Sequence, residues 1–274
     1  MSTQLQKAEA FRNLHRRNGA FVIPNPWDAG SARMLAGLGF EALATTSSGF
    51  ANAIGHMDGD VHREQVIAHC RELSAATHLP VSADLENGFA DDPKEAARTI
   101  VLAGEAGVVG GSIEDWGGDA TPKIYDFSHA VERVQAAVEA ARSLPFRFTL
   151  TARAENFLRG RNDLDDTIRR LQAFEAAGAD VLYAPGLTTL DQVRAVTSAV
   201  TKPVNVLGVM LANVTVAQLQ EAGAKRISIG GALARVAVTA FLSASKQLRD
   251  AGTFDWAGGL ASSSELQKLF AAKT

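Results

Sequence analysis

Short runs of branched and small apolar residues alternate along this chain with longer stretches whose apolar positions recur every three or four residues. The short runs predict strands at Ala20–Pro24, Ala42–Thr46, Pro80–Asp84, Val108–Glu114, Arg147–Arg153, Val181–Ala184, Pro203–Leu207 and Arg226–Ile229. The periodic stretches predict helices over residues 31–38, 62–77, 93–106, 128–143, 163–177, 189–199, 214–222 and 231–249. A further amphipathic helix precedes them at residues 4–18, with Leu5, Ala8, Phe11, Leu14 and His15 on one face and Gly19 as its stop. Ala106-Gly107, Ala177-Gly178 and Ala222-Gly223 each close a helix with glycine just before a strand resumes. Eight such units in regular succession predict an α/β chain closed into a (β/α)8 TIM-type barrel with an N-terminal helix. An open doubly wound sheet is the alternative, but no break in the repeat favours it.

Residues 251–274 continue past the last unit and predict a loop and an extra C-terminal helix from about Ser263. This appendage either packs on a partner subunit, swapped between copies, or caps its own barrel. No composition shift divides the chain, so residues 1–274 read as a single domain.

Composition narrows the function classes. With 274 residues and 46% hydrophobic content the chain can bury a large core. A formal net charge of −3 and the lack of any Lys/Arg block argue against nucleic acid. Cys70 is the one cysteine, which rules out an internal disulfide and fits a reducing compartment. The N-terminus is too polar for a signal peptide, and no apolar run approaches the ~20 residues that span a bilayer. The expectation is a cytoplasmic protein with neither membrane nor nucleic acid as partner.

Candidate chemistry collects where the strands end, the side on which barrels of this type carry their sites. Pro80–Asp84 runs on into Leu85, Glu86, Asn87 and Gly88, and the next strand ends in Ile113, Glu114 and Asp115. Residues two apart in a strand share a face, so Asp84 and Glu86 point together and Glu114 joins them from the neighbouring strand. Three such carboxylates repel unless a positive charge stands between them. A hard dication, Mg2+ or Mn2+, suits oxygen donors of this kind; helix caps or arginine pairing are the plainer reading. Ser47, Ser48 and Gly49 form a turn able to offer N–H groups and hydroxyls to an anion. Arg153 supplies a fork for a carboxylate, or else an internal ion pair with Glu155. Asn205 stands at the end of the seventh strand, and Gly230-Gly231 after the eighth is a weak phosphate-cradle signal. A metal chelated by a 2-oxo carboxylate would stabilise negative charge growing on the oxo oxygen.

Five segments in order carry a specific likeness: Asn25-Pro26-Trp27-Asp28-Ala29-Gly30-Ser31-Ala32, Thr46-Ser47-Ser48-Gly49, Ala83-Asp84-Leu85-Glu86-Asn87-Gly88, Ser112-Ile113-Glu114-Asp115 and Thr151-Ala152-Arg153-Ala154-Glu155. Over about residues 10–250 the chain resembles the isocitrate lyase/phosphoenolpyruvate mutase superfamily, with 2-methylisocitrate lyases and oxaloacetate decarboxylases as the likest members. The resemblance implies a barrel that forms homodimers or homotetramers, binds Mg2+ and acts on 2-oxo acids through an enolpyruvate-type species. By that resemblance Asp84 is the principal metal carboxylate, with Glu86 and Glu114 holding metal-bound waters. Ser47, Ser48, Gly49 and Arg153 bind substrate, and Asp58 lies near the reacting group.

One departure bears on the reaction. The C–C lyases of the superfamily carry a Cys-containing catalytic loop after the Ile-Glu-Asp motif. Here that segment reads Trp116-Gly117-Gly118-Asp119-Ala120-Thr121-Pro122-Lys123-Ile124-Tyr125, without a thiol. Decarboxylation of an oxaloacetate-like 2-oxo dicarboxylate asks least of the missing acid, with Lys123 or Tyr125 assisting. C–P chemistry on a phosphonopyruvate-like substrate and a non-catalytic 2-oxo acid binding protein are the alternatives.

Overall fold

A computed structural model describes residues 2–118 and 123–271. Its strands are β1 (Phe21–Ile23), β2 (Leu43–Ala44), β3 (Val81–Asp84), β4 (Gly110–Glu114), β5 (Thr149–Arg153), β6 (Val181–Tyr183), β7 (Val204–Leu207) and β8 (Arg226–Ser228). The helices are α1 (Gln4–Arg16), α2 (Ala29–Gly37), α3 (Ser47–Ala53), α4 (Arg63–Ala76), α5 (Pro93–Glu105), α6 (Phe127–Ser143), α7 (Leu164–Ala176), α8 (Leu190–Ala199), α9 (Val216–Glu221), α10 (Ala232–Ala251) and α11 (Ser263–Ala271).

All strand pairs are parallel and run in the order β1-β8-β7-β6-β5-β4-β3-β2. The seam between β1 and β2 has no ladder, but the Ala44 N–H donates to the Pro24 carbonyl across it at 3.0 Å. Asn25 braces the same seam. Its amide donates to the Thr45 carbonyl at 2.9 Å and its carbonyl accepts from the Ile229 N–H at 3.0 Å. The architecture is thus the expected (β/α)8 barrel.

The main core lies between strands and helices and runs through Leu43, Cys70, Ile100, Phe148, Leu150 and Phe174. A second cluster plugs the N-terminal mouth: Ala8, Phe11 and Leu14 of α1 pack on Phe21, Ile23 and Val109. Gly110 makes room for that plug, since a Cβ there would stand 2.8 Å from the Phe11 ring. The opposite, carboxyl-end mouth is left for the site.

Two features depart from the sequence expectation. The segment after β2 enters a short helix, α3, because Thr46 accepts from the Gly49 N–H at 3.4 Å as an N-cap. The long α10, periodic as expected, buries only Ala234. Beyond it, α11 returns to lie across α2 of the same chain. Among the described residues no helix is long and apolar enough to cross a membrane.

Candidate active site

Strand register sets the height of each carboxylate. Asp84 is level with Ser112, and Glu114 with Arg153, which in turn is level with Tyr183. Beyond β3 the chain turns through Leu85–Gly88, and the Glu86 carbonyl accepts from the Glu114 N–H at 3.0 Å. Glu86 adopts a φ of 48°, the left-handed region that costs a side-chain-bearing residue energy. That conformation turns its carboxylate toward a cavity of about 420 Å3 shared with Ser47, Asp58, Glu114, Arg153 and Arg159.

Arg153 stands where the sequence reading expects a dication. Its guanidinium reaches Asp84 at 2.9 Å, Glu114 at 3.0 Å and Glu155 at 2.9 Å. The plainer reading, pairing with arginine, is therefore what the structure shows between Asp84 and Glu114. Among the described residues no three Asp, Glu, His or Cys side chains converge as a preformed metal cage. The donor chemistry nevertheless suits Mg2+, which keeps several waters and needs only one or two carboxylates. One Asp84 oxygen accepts only the Ser47 N–H, at a long 3.3 Å, while the other is used by Arg153 and Ser112. Glu86 lines the cavity, and among the described residues no cation pairs with it.

The electrostatics show a shortage of positive charge. Burial, then the nearby Asp84 and Asp58, push the Glu86 carboxyl up to about 8. Desolvation also raises Asp58, partly offset by its hydrogen bond with Ser47. Burial drives Glu114 well above the usual carboxylate range despite Arg153, whereas its acidic neighbours keep Arg153 charged. Arg159, which the sequence reading passed over, lies over the Trp116 ring at 4.5 Å and approaches Glu114 at 3.7 Å and Glu155 at 3.6 Å. Its signal was available: it follows Glu155 by four residues, one turn on.

The Ser-Ser-Gly turn is shaped by close approach. A Cβ at Gly49 would stand 2.6 Å from the Thr46 methyl, and one at Gly231 would stand 2.4 Å from the Ser48 hydroxyl. Gly231 thus lets β8 close on Ser48, which accounts for Gly230-Gly231 without any phosphate. A second cavity of about 170 Å3 continues from this turn into the barrel, past Ser47, Ser48, Asp84 and Arg153 to Asn205.

Three expected residues are not brought to either cavity: Tyr125, Lys123 and Gly49, the last buried behind the serines. Tyr125 is buried, donates its hydroxyl to Asp91, accepts from the Asn87 amide at 3.1 Å and stacks on Arg133 at 4.4 Å. It braces the loop that carries Glu86 and Asn87. Lys123 is exposed, and its carbonyl accepts from the Gly117 N–H at 2.9 Å in the hairpin that pairs Trp116 with Ile124. Pro122 lies outside the described residues. Asp115 serves as an anchor below the site: it accepts from the Glu155 N–H at 2.8 Å and from Arg170 at 3.0 Å, and Arg170 also holds Asp166.

Comparison with known proteins agrees with this geometry. The family model for phosphoenolpyruvate phosphomutase matches residues 11–249. A solved structure from Burkholderia cenocepacia, assigned only as a lyase or mutase, is 56% identical with a TM-score of 0.94, covering 98% of this chain and 97% of its own. An uncharacterised protein of Mycobacterium tuberculosis is 33% identical over 224 residues, 81% of each chain. An oxaloacetate decarboxylase of Paraburkholderia xenovorans is 29% identical over 256 residues, 88% of this chain and 82% of its own. With strand-end acids, serine turn and closed barrel all in place, the chain belongs to the phosphoenolpyruvate phosphomutase family and is an enzyme of the isocitrate lyase/phosphoenolpyruvate mutase superfamily.

Proposed function

We propose that this protein is a Mg2+-dependent (or Mn2+-dependent) lyase that breaks a carbon–carbon bond in a small 2-oxo dicarboxylate of the oxaloacetate type. The observation that carries the reading is the convergence of Asp84, Glu86, Asp58 and Arg153 on two cavities that meet at Arg153 and Ser47. Kinship with an oxaloacetate decarboxylase supports the substrate class. Asp84 and Glu86 would hold the ion, with Glu114 behind them and engaged by Arg153 and Arg159. When bound, the dication supplies Lewis acidity to the oxo and carboxylate oxygens, where charge grows as the bond breaks.

The chain's own groups do the rest. Arg153 is fixed by three carboxylates and backed at 5.3 Å by the Tyr183 ring, so it presents a rigid cation to an incoming carboxylate. Ser47 presents its N–H and hydroxyl at the start of α3. In decarboxylation the C–C bond electrons stay with the carbon that CO2 leaves, and that carbon must then take a proton. Asp58, raised above the ordinary range, lies on the cavity wall and is placed to deliver it, regaining one from water. This removes the need for the absent thiol and for Tyr125 or Lys123.

Phosphonopyruvate is the second candidate substrate, favoured by Arg159, a second arginine over the same cavity. The protein also acts as a homo-oligomer in a reducing cytoplasm, readings supported by the uncovered face of α10 and by the lone, fully buried Cys70. The deciding experiment measures oxaloacetate turnover with and without Mg2+ in wild type and Asp84→Ala. Loss of the Mg2+-dependent rate in the variant is expected. A variant that keeps the wild-type rate, or a wild type that prefers phosphonopyruvate or turns over neither compound, would overturn the reading.

A further inference from the structure

Arg226 opens β8 inside the barrel and is only 5% exposed. Its Nε donates to the Asn205 carbonyl oxygen at 2.8 Å and one Nη to the Thr151 hydroxyl at 3.1 Å. The other, Nη1, is buried without any partner. Each remaining arginine of the site has acids: Arg153 holds three, Arg159 two, and Arg170 bridges Asp115 and Asp166. Among the described residues Arg226 has none, and the one group that favours its charge is the Tyr183 phenol. Below it sits His15, kept neutral by burial and by this same guanidinium.

A guanidinium taken out of water without a counter-charge is costly, and a protein that retains one has a use for the charge or a ligand for it. The position of Arg226 points to a ligand. It lines the inner cavity together with Asn205, Ser228, Tyr183 and Ser82, and that cavity opens past Arg153 and Ser47 into the outer one. Asn205 fixes the guanidinium plane and donates its amide to the Ser228 hydroxyl at 2.9 Å, so the polar floor is held rigid. A molecule lying along the connected cavities would meet Arg153 at one end and the Arg226 guanidinium, whose Nη1 lacks a partner, at the other.

We infer that Arg226, with Asn205 and Ser228, forms an inner carboxylate subsite that takes the second carboxylate of a dicarboxylic 2-oxo acid. The inference rests on the 2-oxo acid reading above and deepens it.

Calorimetry in Mg2+ with pyruvate, oxaloacetate and 2-oxoglutarate tests this in wild type and Arg226→Gln. Wild type is expected to bind at least one diacid roughly 30-fold or more tighter than pyruvate, as a desolvated charged pair should provide. Arg226→Gln should abolish that margin and leave the pyruvate affinity unchanged. No margin in wild type, or a margin that survives in the variant, would overturn the subsite while leaving the 2-oxo acid reading intact. A wild type that binds none of the three defeats that reading instead. In that case, or if the variant does not fold, wild-type crystals soaked in bromide decide. An anomalous peak within hydrogen-bonding distance of Nη1 supports an anion subsite, and its absence at high bromide rejects one.

Discussion

Replacing Arg153 by Met would leave Asp84, Glu114 and Glu155 facing one another across the gap its guanidinium now fills. Glu114 and Glu155 are 6% and 0% exposed, so water cannot screen them, and the expected loss is about 3–5 kcal/mol. The sign of the pH dependence follows from which state binds protons. Without the arginine the folded-state pKa of Glu114, already raised by burial, rises further above its unfolded value, so the folded variant binds more protons. Its stability is then fullest below the unfolded carboxylate range and declines as pH rises through the raised folded value. Urea titrations at about pH 5.5 and about pH 7.5 should show a smaller deficit at the lower pH. A deficit independent of pH would mean that lost packing, not unpaired charge, is the cost. The residue scale is also where sequence reading reached least far. Asp84, Glu86 and Glu114 could be placed together from period and strand order, but which cation stands between them depends on side-chain reach. Arg153 comes from β5, the neighbour of β4, and its long stem spans to β3. Only the folded register shows that.

At the scale of elements the alternation of apolar runs and periodic stretches was enough to place every strand and all but one helix, because each obeys its own period and several helix stops, such as Gly107, Gly178 and Gly223, carry glycine. The exception, α3, is seven residues long, too short to establish a periodicity, and its only early sign is the Thr46 cap. Docking between elements was not readable, and α11 on α2 is the clearest case. Gly37, the last residue of α2, meets the backbone of Leu269 so closely that a Cβ would fall 2.5 Å from its carbonyl oxygen and 2.9 Å from its Cα. Glycine to alanine in a helix ordinarily stabilises by up to about 1 kcal/mol. Here the clash is with backbone, which cannot rotate aside, so the sign reverses. Gly37→Ala should release α11, seen as faster proteolytic cutting within residues 252–262. Truncation after residue 251 removes the clash, so there alanine at position 37 should be more stable than glycine by up to about 1 kcal/mol. Equal cutting rates in the full-length proteins would show that this contact does not hold the helix.

The last consequence belongs to the whole molecule and concerns what covers α10. In a closed barrel the helix after β8 ordinarily lies against the sheet, yet this one has Val236, Phe241 and Leu242 at 65%, 70% and 46% exposure. Leu248, and beyond the helix Phe254, Trp256 and Leu260, extend the apolar surface. A contiguous patch of this kind on an isolated chain marks an association surface. A second copy of the same chain is the simplest occupant, because a two-fold contact lets one patch cover its own counterpart. The sequence carried the amphipathic period of this helix but could not tell an inward face from one reserved for a partner, since both are written in the same residues. Phe241→Asp together with Leu242→Asp places two charges at the centre of the patch while touching nothing that lines the acid-rich cavity. Light scattering coupled to gel filtration should show wild type as a dimer or tetramer and the double variant as a monomer with an unchanged circular dichroism spectrum. The N-terminus of α10 abuts Ser48 through Gly231, and the groove along this helix begins at that same serine. Dissociation should therefore also weaken 2-oxo acid binding. A wild type that is monomeric at micromolar concentration would remove the reason for the exposed face, and a monomeric variant that binds ligand as well as the oligomer would separate assembly from the site.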